Sequence, residues 1–220
     1  VDKVTNLEDV FNGASAFNSD LSEWRVDNVE TLRAAFLGAS AFNSDLSEWR
    51  VDKVIDMLSA FNGASAFNSD LSKWNTKSVA SFYQMFNGAT RFNSDLSKWI
   101  VNINMGSMFQ DAFAFNGDVS KWEMSSVENV VKMFRNAISF NGDVSKWNVS
   151  GVSSASGMFT NASSFNQTFC SAIWEKSIIT KEAFAGTQGM SFCCSPGSFY
   201  DTSATLPPFS CSGCPSGKMS

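Results

Sequence analysis

The 220-residue chain contains no histidine. That absence removes the commonest general base and the commonest zinc ligand from any mechanism. No apolar run approaches the roughly 18 residues that span a bilayer as a helix. No cysteine precedes Cys170, and there are only four prolines. Two tyrosines stand against 21 phenylalanines and seven tryptophans, so the aromatic bulk is apolar and suits a stacked core. A basic excess is also missing. Sixteen Lys and Arg face 21 Asp and Glu, a net charge of −5, which argues against nucleic acid as the main partner. No G-x-S-x-G, P-loop or H-E-x-x-H motif occurs. The chain begins at Val1, partway through a repeat, and reads as a segment of a longer product, with any leader or anchor outside it.

What is present is repetition. The stretch AFNSDLSEW at Ala16–Trp24 recurs unchanged at Ala41–Trp49. Seven Phe-Asn pairs, at Phe17, Phe42, Phe67, Phe92, Phe115, Phe140 and Phe165, are spaced 25, 25, 25, 23, 25 and 25 residues apart. A second phenylalanine column runs six residues earlier, from Phe11 to Phe159, and Phe184 opens an eighth, degraded copy. A tryptophan column runs from Trp24 to Trp174. A 25-residue unit cannot bury such side chains alone, but stacked copies can.

Periodicity divides each unit. Val29, Leu32 and Phe36 fall at i, i+3, i+7, the spacing of a helical stripe. Asp27 with Glu30, and Ser125 with Glu128, resemble capping boxes. Gly13, Gly38, Gly63 and Gly88 stand where a helix end would need positive φ. Ser22–Val26 alternates like a strand. The expected fold is therefore an α/β repeat solenoid: a leucine-rich-repeat-like stack of ~25-residue strand–helix units with a parallel sheet. A small disulfide-rich segment is expected at the C-terminus. The boundaries expected are residues 1–192 for seven to eight repeats and 193–220 for the start of the cysteine-rich module.

The runs DNVETLRAAFLGASAFNSDLSEWRV and SSVENVVKMFRNAISFNGDVSKWNV carry a V-x-x-V-x-x-M lead and an MF-x-x-A-x-x-FN-x-D-x-S-x-W core. They resemble the BspA-like surface-protein repeats of mycoplasmas and other bacteria. The resemblance implies a leucine-rich-repeat-like solenoid, a cell-surface or secreted setting, an adhesive or interaction role, and no catalytic residues. Ala35 and Leu58 depart from the methionine of the core motif, which matters little for packing.

All five cysteines follow the main repeats: Cys170, Cys193, Cys194, Cys211 and Cys214. Disulfides are the favoured reading. Cys170 could be stapled to Cys193 or to Cys194, and the odd count leaves one thiol free or paired outside this chain. A zinc site would need four of these sulfurs, and a redox C-x-x-C would need a βαβ context. C-x-P-G-x-F-Y and C-x-x-C-P-x-G resemble ephrin-receptor-like disulfide modules. Of the three sequons, Asn148 and Asn161 are the expected glycosylation sites. Asn166 lies in the asparagine column, which is expected to be buried.

Candidate sites follow from the columns. Asn18, Asn43, Asn68, Asn93, Asn116, Asn141 and Asn166 can form a hydrogen-bonded ladder between turns, and Asp20 and its equivalents can accept backbone N–H groups in Asx-turns. Asn18, Asp20 and Ser22 match the first three oxygen positions of a calcium loop, but Glu23 and Val29 occupy positions six and twelve, where glycine and glutamate belong. No metal and no cofactor is expected. Polar columns repeat and do not converge, so no catalytic site is expected.

The expected interaction face is the outer surface of the strand segment: Glu23, Arg25, Glu48, Arg50, Lys73, Lys98, Lys121 and Lys146. Glu23 and Glu48 can pair with Arg25 and Arg50 across strands. Stacked lysines ~5 Å apart repel by about 0.8 kcal/mol in water, which an anionic partner would relieve. The leading expectation is an extracellular structural or interaction module whose partners are other extracellular proteins or copies of itself. The alternative is a binding module for anionic glycans, using the lysine column and the tryptophan faces. Neither nucleic acid nor a transmembrane segment is expected.

Overall fold

In the computed structural model of the chain, residues 3–169, 181–192, 198–200 and 211–213 are described. Each ~25-residue unit forms one coil made almost wholly of turns. The second unit shows the rule. The N–H groups of Ala35, Leu37, Ala39 and Phe42 donate locally, to the carbonyls of Leu32, Ala34, Phe36 and Ala39 at 3.0–3.1 Å. The intervening N–H groups of Leu32, Ala34, Phe36 and Gly38 donate instead to the next coil, to the carbonyls of Asp56, Leu58, Ala60 and Asn62 at 2.7–2.9 Å. Ile55 and Ala66 of the next coil donate back, to Glu30 and Ser40. Backbone groups are thus divided between turn and neighbour, and few are left unpaired inside.

This pattern corrects the expected strand–helix solenoid with its parallel sheet. An α-helix sends every N–H to the carbonyl four residues back. Here alternate N–H groups leave the coil. Ala34 and Gly38 adopt φ of +50° and +68°, and a left-handed residue at every fourth position breaks a helix. The i, i+3, i+7 spacing belongs to consecutive turns. Asp27 and Ser125 are therefore not helix caps; Ser125 lies inside a three-residue 3₁₀ turn, Met124–Ser126. The glycines do have positive φ, at turns and not at helix ends.

Ser22–Val26 is not a strand either. Ser22 N–H donates to Asp20 Oδ1 and Trp24 N–H to Leu21 O, which curls the segment twice. In its place, single parallel bridges join the coils at Asn6↔Thr31, Thr31↔Asp56, Asp56↔Ser81, Ser81↔Asn104, Asn104↔Asn129 and Asn129↔Ser154.

The core is three columns of rings. Phe36, Phe61, Phe86, Phe109, Phe134 and Phe159 follow one another with centroids 5.2–5.7 Å apart. Phe42 to Phe165 form a second column at 5.8–6.0 Å, and Phe184 stacks on Phe159 at 5.3 Å. Trp49, Trp74, Trp99, Trp122 and Trp147 are buried. Their Nε1–H groups donate at 2.9–3.1 Å to Leu21 O, Leu46 O, Leu71 O, Leu96 O and Val119 O of the preceding coil. Burying each ring contributes roughly 2–3 kcal/mol. The indole N–H finds its partner on a carbonyl that already accepts the backbone N–H three residues on, as Leu21 O does from Trp24, and fills that oxygen's second lone pair. Trp174 lies outside the described residues.

The two-residue deletion between Trp99 and Phe109 is absorbed locally. Thr76, 1% exposed, donates its hydroxyl to Ile100 O and accepts from Ile100 N–H, both at 2.9 Å. In the last coil Thr168 stands where earlier units have aspartate, and the chain extends as β1 (Asn166–Phe169), which pairs in parallel with β2 (Gly189–Phe192). Further on, β3 (Ser198–Tyr200) pairs antiparallel with β4 (Cys211–Gly213). The pairing of the cysteines lies outside the described residues.

Candidate interaction face

Two polar columns run beside the lysine face, one bonding coil to coil and one capping a turn within each coil. Asn43 N–H donates to Asn18 Oδ1 at 2.7 Å, and the same bond recurs from Asn68, Asn93, Asn116, Asn141 and Asn166, each to the asparagine one coil earlier, at 2.7–2.9 Å. This ladder is exposed along its whole length, a correction to the expected burial. The side chains lie outside the rings and bridge backbone at the surface. Asp20, Asp45, Asp70, Asp95, Asp118 and Asp143 each accept the N–H of the serine two residues on, at 2.8–2.9 Å.

For Asp20, Asp45 and Asp95, that backbone N–H and then the serine hydroxyl hold the carboxyl below its ordinary range. For Asp118 and Asp143 the hydroxyl contributes most. The Asn18 and Asp20 oxygens of the calcium-loop match are therefore occupied in holding backbone. No group of three Cys, Asp or Glu side chains suited to a metal gathers among the described residues.

Glu23, Glu48, Lys73, Lys98, Lys121 and Lys146 are all exposed. The expected Glu–Arg pairing is not made. Arg25 Nε lies 2.9 Å from Asp27, and Arg50 Nε lies 3.8 Å from Asp27 and 3.7 Å from Asp52. Each arginine turns to the aspartate two residues on, and Arg50 also reaches Asp27 of the preceding coil. Glu48 instead takes Lys73 as its ion-pair partner. Pairs this exposed contribute little. Lys98, Lys121 and Lys146 lie near Asp95, Asp118 and Asp143, whose carboxyls feel their charge. The face is therefore an interleaved column of both signs. Beside Glu48, Arg50, Asp52 and Lys73 is an open polar depression of about 200 Å³, smaller and wetter than an ordinary small-molecule pocket.

The sequons separate by geometry. Asn148 is exposed, and its Oδ1 accepts Ser150 N–H at 3.1 Å. Asn161 is exposed, but its Nδ2 donates to Asn136 Oδ1 at 3.0 Å. Asn136 in turn donates to Asp111 Oδ1 at 2.6 Å, a second short ladder in the glycine column. Asn166 is exposed, not buried.

A third polar column, of turn caps within each coil, was missed in the sequence. Asn6, Thr31, Asp56, Ser81, Asn104 and Asn129 each cap the N–H two residues on. The signal was there, since every member is a turn-capping residue type. Among the described residues no helix is long and apolar enough to cross a membrane.

A family model described as "Mycoplasma protein of unknown function, DUF285" matches residues 1–99 and 100–192. The two matches meet where the repeat spacing shortens. No curated protein and no solved structure matches the chain.

Proposed function

The chain belongs to this DUF285 repeat family, and from that premise we propose that it is a non-catalytic extracellular module, used in cell-surface adhesion or as a component of a secreted filament or coat. It resembles BspA-like surface proteins in this role. The observation that carries the reading is the uninterrupted fastening of the stack. Aromatic columns run through it, and the Asn ladder links every coil from Asn18 to Asn166. A rod held this way is a rigid spacer, with its variable side chains displayed at fixed intervals. Its polar columns are committed to backbone and are spread along the axis; they are not gathered into a reacting centre. The partners are other extracellular proteins or further copies of the chain.

The anionic-glycan alternative has less support. The tryptophan rings are buried from Trp49 to Trp147, so they offer no stacking platform, and aspartates interleave the lysines. Electron microscopy of the native protein at its source tests the main reading. Filaments or a surface layer labelled by an antibody to this chain are expected; a dispersed intracellular protein overturns it. Retention on a sulfated polysaccharide column, lost when Lys73, Lys98, Lys121 and Lys146 become alanine, would favour the alternative.

A further inference from the structure

Two ridges flank the column of parallel bridges, on a side of the stack that the lysine face does not include. One carries Glu30, Ile55, Ala80 and Ile103, and all four are exposed, Ile55 by 54% and Ile103 by 50%. The other, three residues further along each coil, carries Arg33, Leu58 and Tyr83, with Gly106 buried at the next position. Leu58 and Tyr83 are half-exposed. The Tyr83 ring leans along the stack over Gly106, where a Cβ would lie only 3.1 Å from it. Beyond these coils the same positions turn polar: Thr5 and Glu8 on one side, and on the other the exposed Glu128 beside Val131, then Ser153 and Ser156. The apolar surface is thus confined to the middle coils and bounded by charge, an arrangement that marks a contact surface.

We propose that this surface binds a second copy of the chain, side by side and parallel, about a two-fold axis that runs along the stack between the ridges. Such an axis sets each ridge against the other ridge of the second copy, coil for coil. Glu30 then meets Arg33 of the second copy, and Ile55 meets its Leu58. Tyr83 of the second copy enters the notch above Ala80, between Ile55 and Ile103. Acid faces base in the Glu30 coil, apolar faces apolar in the Ile55 coil and small faces large at Ala80. One coil beyond Ile103, Glu128 lies across from Val131 at the edge of the contact. Each relation occurs twice, as an isologous interface requires. Two copies share the same rise per coil, so the levels stay matched along the contact. Arg33 has only long, exposed pairings within its own chain, 3.5 Å to Glu8 and 3.5 Å to Asp56, which hold it weakly.

The inference rests on the self-association part of the proposed function, but not on an extracellular location, which can fail separately. The test is sedimentation equilibrium of the chain with reductant present, so that no cysteine link contributes. A dimer is expected at concentrations up to about 100 μM, the range for an interface of modest area. Ile55→Lys with Ile103→Lys should weaken it by about a hundredfold or more, and Tyr83→Ala by about tenfold. Glu30→Arg and Arg33→Glu should each weaken it, and the two together should restore it, because the swap preserves every cross-copy pair. Unchanged thermal melting of the variants shows that the fold survives. A monomeric wild type, a dimer that persists in the double lysine variant, no rescue by the double swap, or loss of the dimer only on changing Lys98, Lys121 and Lys146 would each overturn the proposal.

Discussion

Replacing Phe86 with alanine measures how far the coils share one core. Phe86 is fully buried. Its ring lies 3.9 Å from Phe92 in its own coil, 5.7 Å from Phe61 in the coil before and 5.7 Å from Phe109 in the coil after. Backbone bonds hold those coils apart: Phe61 N–H to Met85 O and Phe86 N–H to Met108 O, both at 2.9 Å. The stack cannot close down on the space left, so the cost should reach the upper part of the usual range, about 3–5 kcal/mol. Phe11 is only half-buried, and among the described residues its ring meets one other coil, through Phe36 at 5.4 Å. Its loss should cost roughly 1–2 kcal/mol. Equilibrium unfolding in urea, followed by tryptophan fluorescence, reads both. With a slope of about 2–3 kcal/mol/M, Phe86→Ala should lower the midpoint by roughly 1–2 M and Phe11→Ala by under about 1 M. If Phe86→Ala moves the midpoint no further than Phe11→Ala, the coils are not packed as one core and the reasoning fails.

Trp99→Phe should cost roughly 1–3 kcal/mol in the same assay, because the buried indole bond to Leu71 O is lost and the smaller ring leaves space behind, while Leu71 O keeps the Trp74 N–H. Asn93→Ala should cost about 1 kcal/mol or less, because the Asn116 N–H it releases can turn to water. Lys132, exposed at φ +55°, should give about 0.5–1 kcal/mol of added stability when changed to glycine, as the left-handed backbone strain is removed. Acid should destabilise the stack. The carboxyls of Asp20, Asp45, Asp95, Asp118 and Asp143 are depressed below 3.8 by their serine partners. Their contribution is therefore complete above that value and is lost as pH falls through the lower folded values. Urea midpoints should be flat near neutrality and drop below about pH 4, with a shallower drop in Asp118→Asn; an equal drop in that variant would refute the assignment.

The aromatic core was legible because seven copies placed Phe and Trp at fixed offsets, and no other arrangement buries all of them. The asparagine bonds were legible for the same reason, but not the exposure of the column. An amide bonds equally well inside or outside, and nothing in the letters distinguishes the two. Helix and strand were misread for a physical reason. Leu32, Ala35 and Phe36 point inward whether the chain is helical or a run of turns. The residues that decide between the two are Ala34, Gln84 and Lys132, which sit at φ of 50–56° without the glycine that would announce it. The ridge of Ile55, Ala80 and Ile103 was invisible to any local window, because its members stand 23–25 residues apart.

A column that fastens every coil in the same way cannot tell one partner from another, however many oxygens it displays. Asn18 and Asp20 are therefore poor candidates for recognition, although they first read as a repeated polar site. What differs along the axis is confined to a few columns. On the lysine face the change from Glu23 and Glu48 to Lys73 and its successors is offset, coil by coil, by aspartates close at hand. Neighbouring charges of opposite sign largely cancel at a distance, and what remains is screened over about 8 Å in physiological salt. The ridge through Ala80 has no such offset: three successive coils present Ile55, Ala80 and Ile103 to water, with ionic residues only at the flanks. Desolvation is worth most where the surface is apolar and charge is held to the rim. Of the two variable faces, the one less conspicuous in the sequence is the one that gains more by being covered.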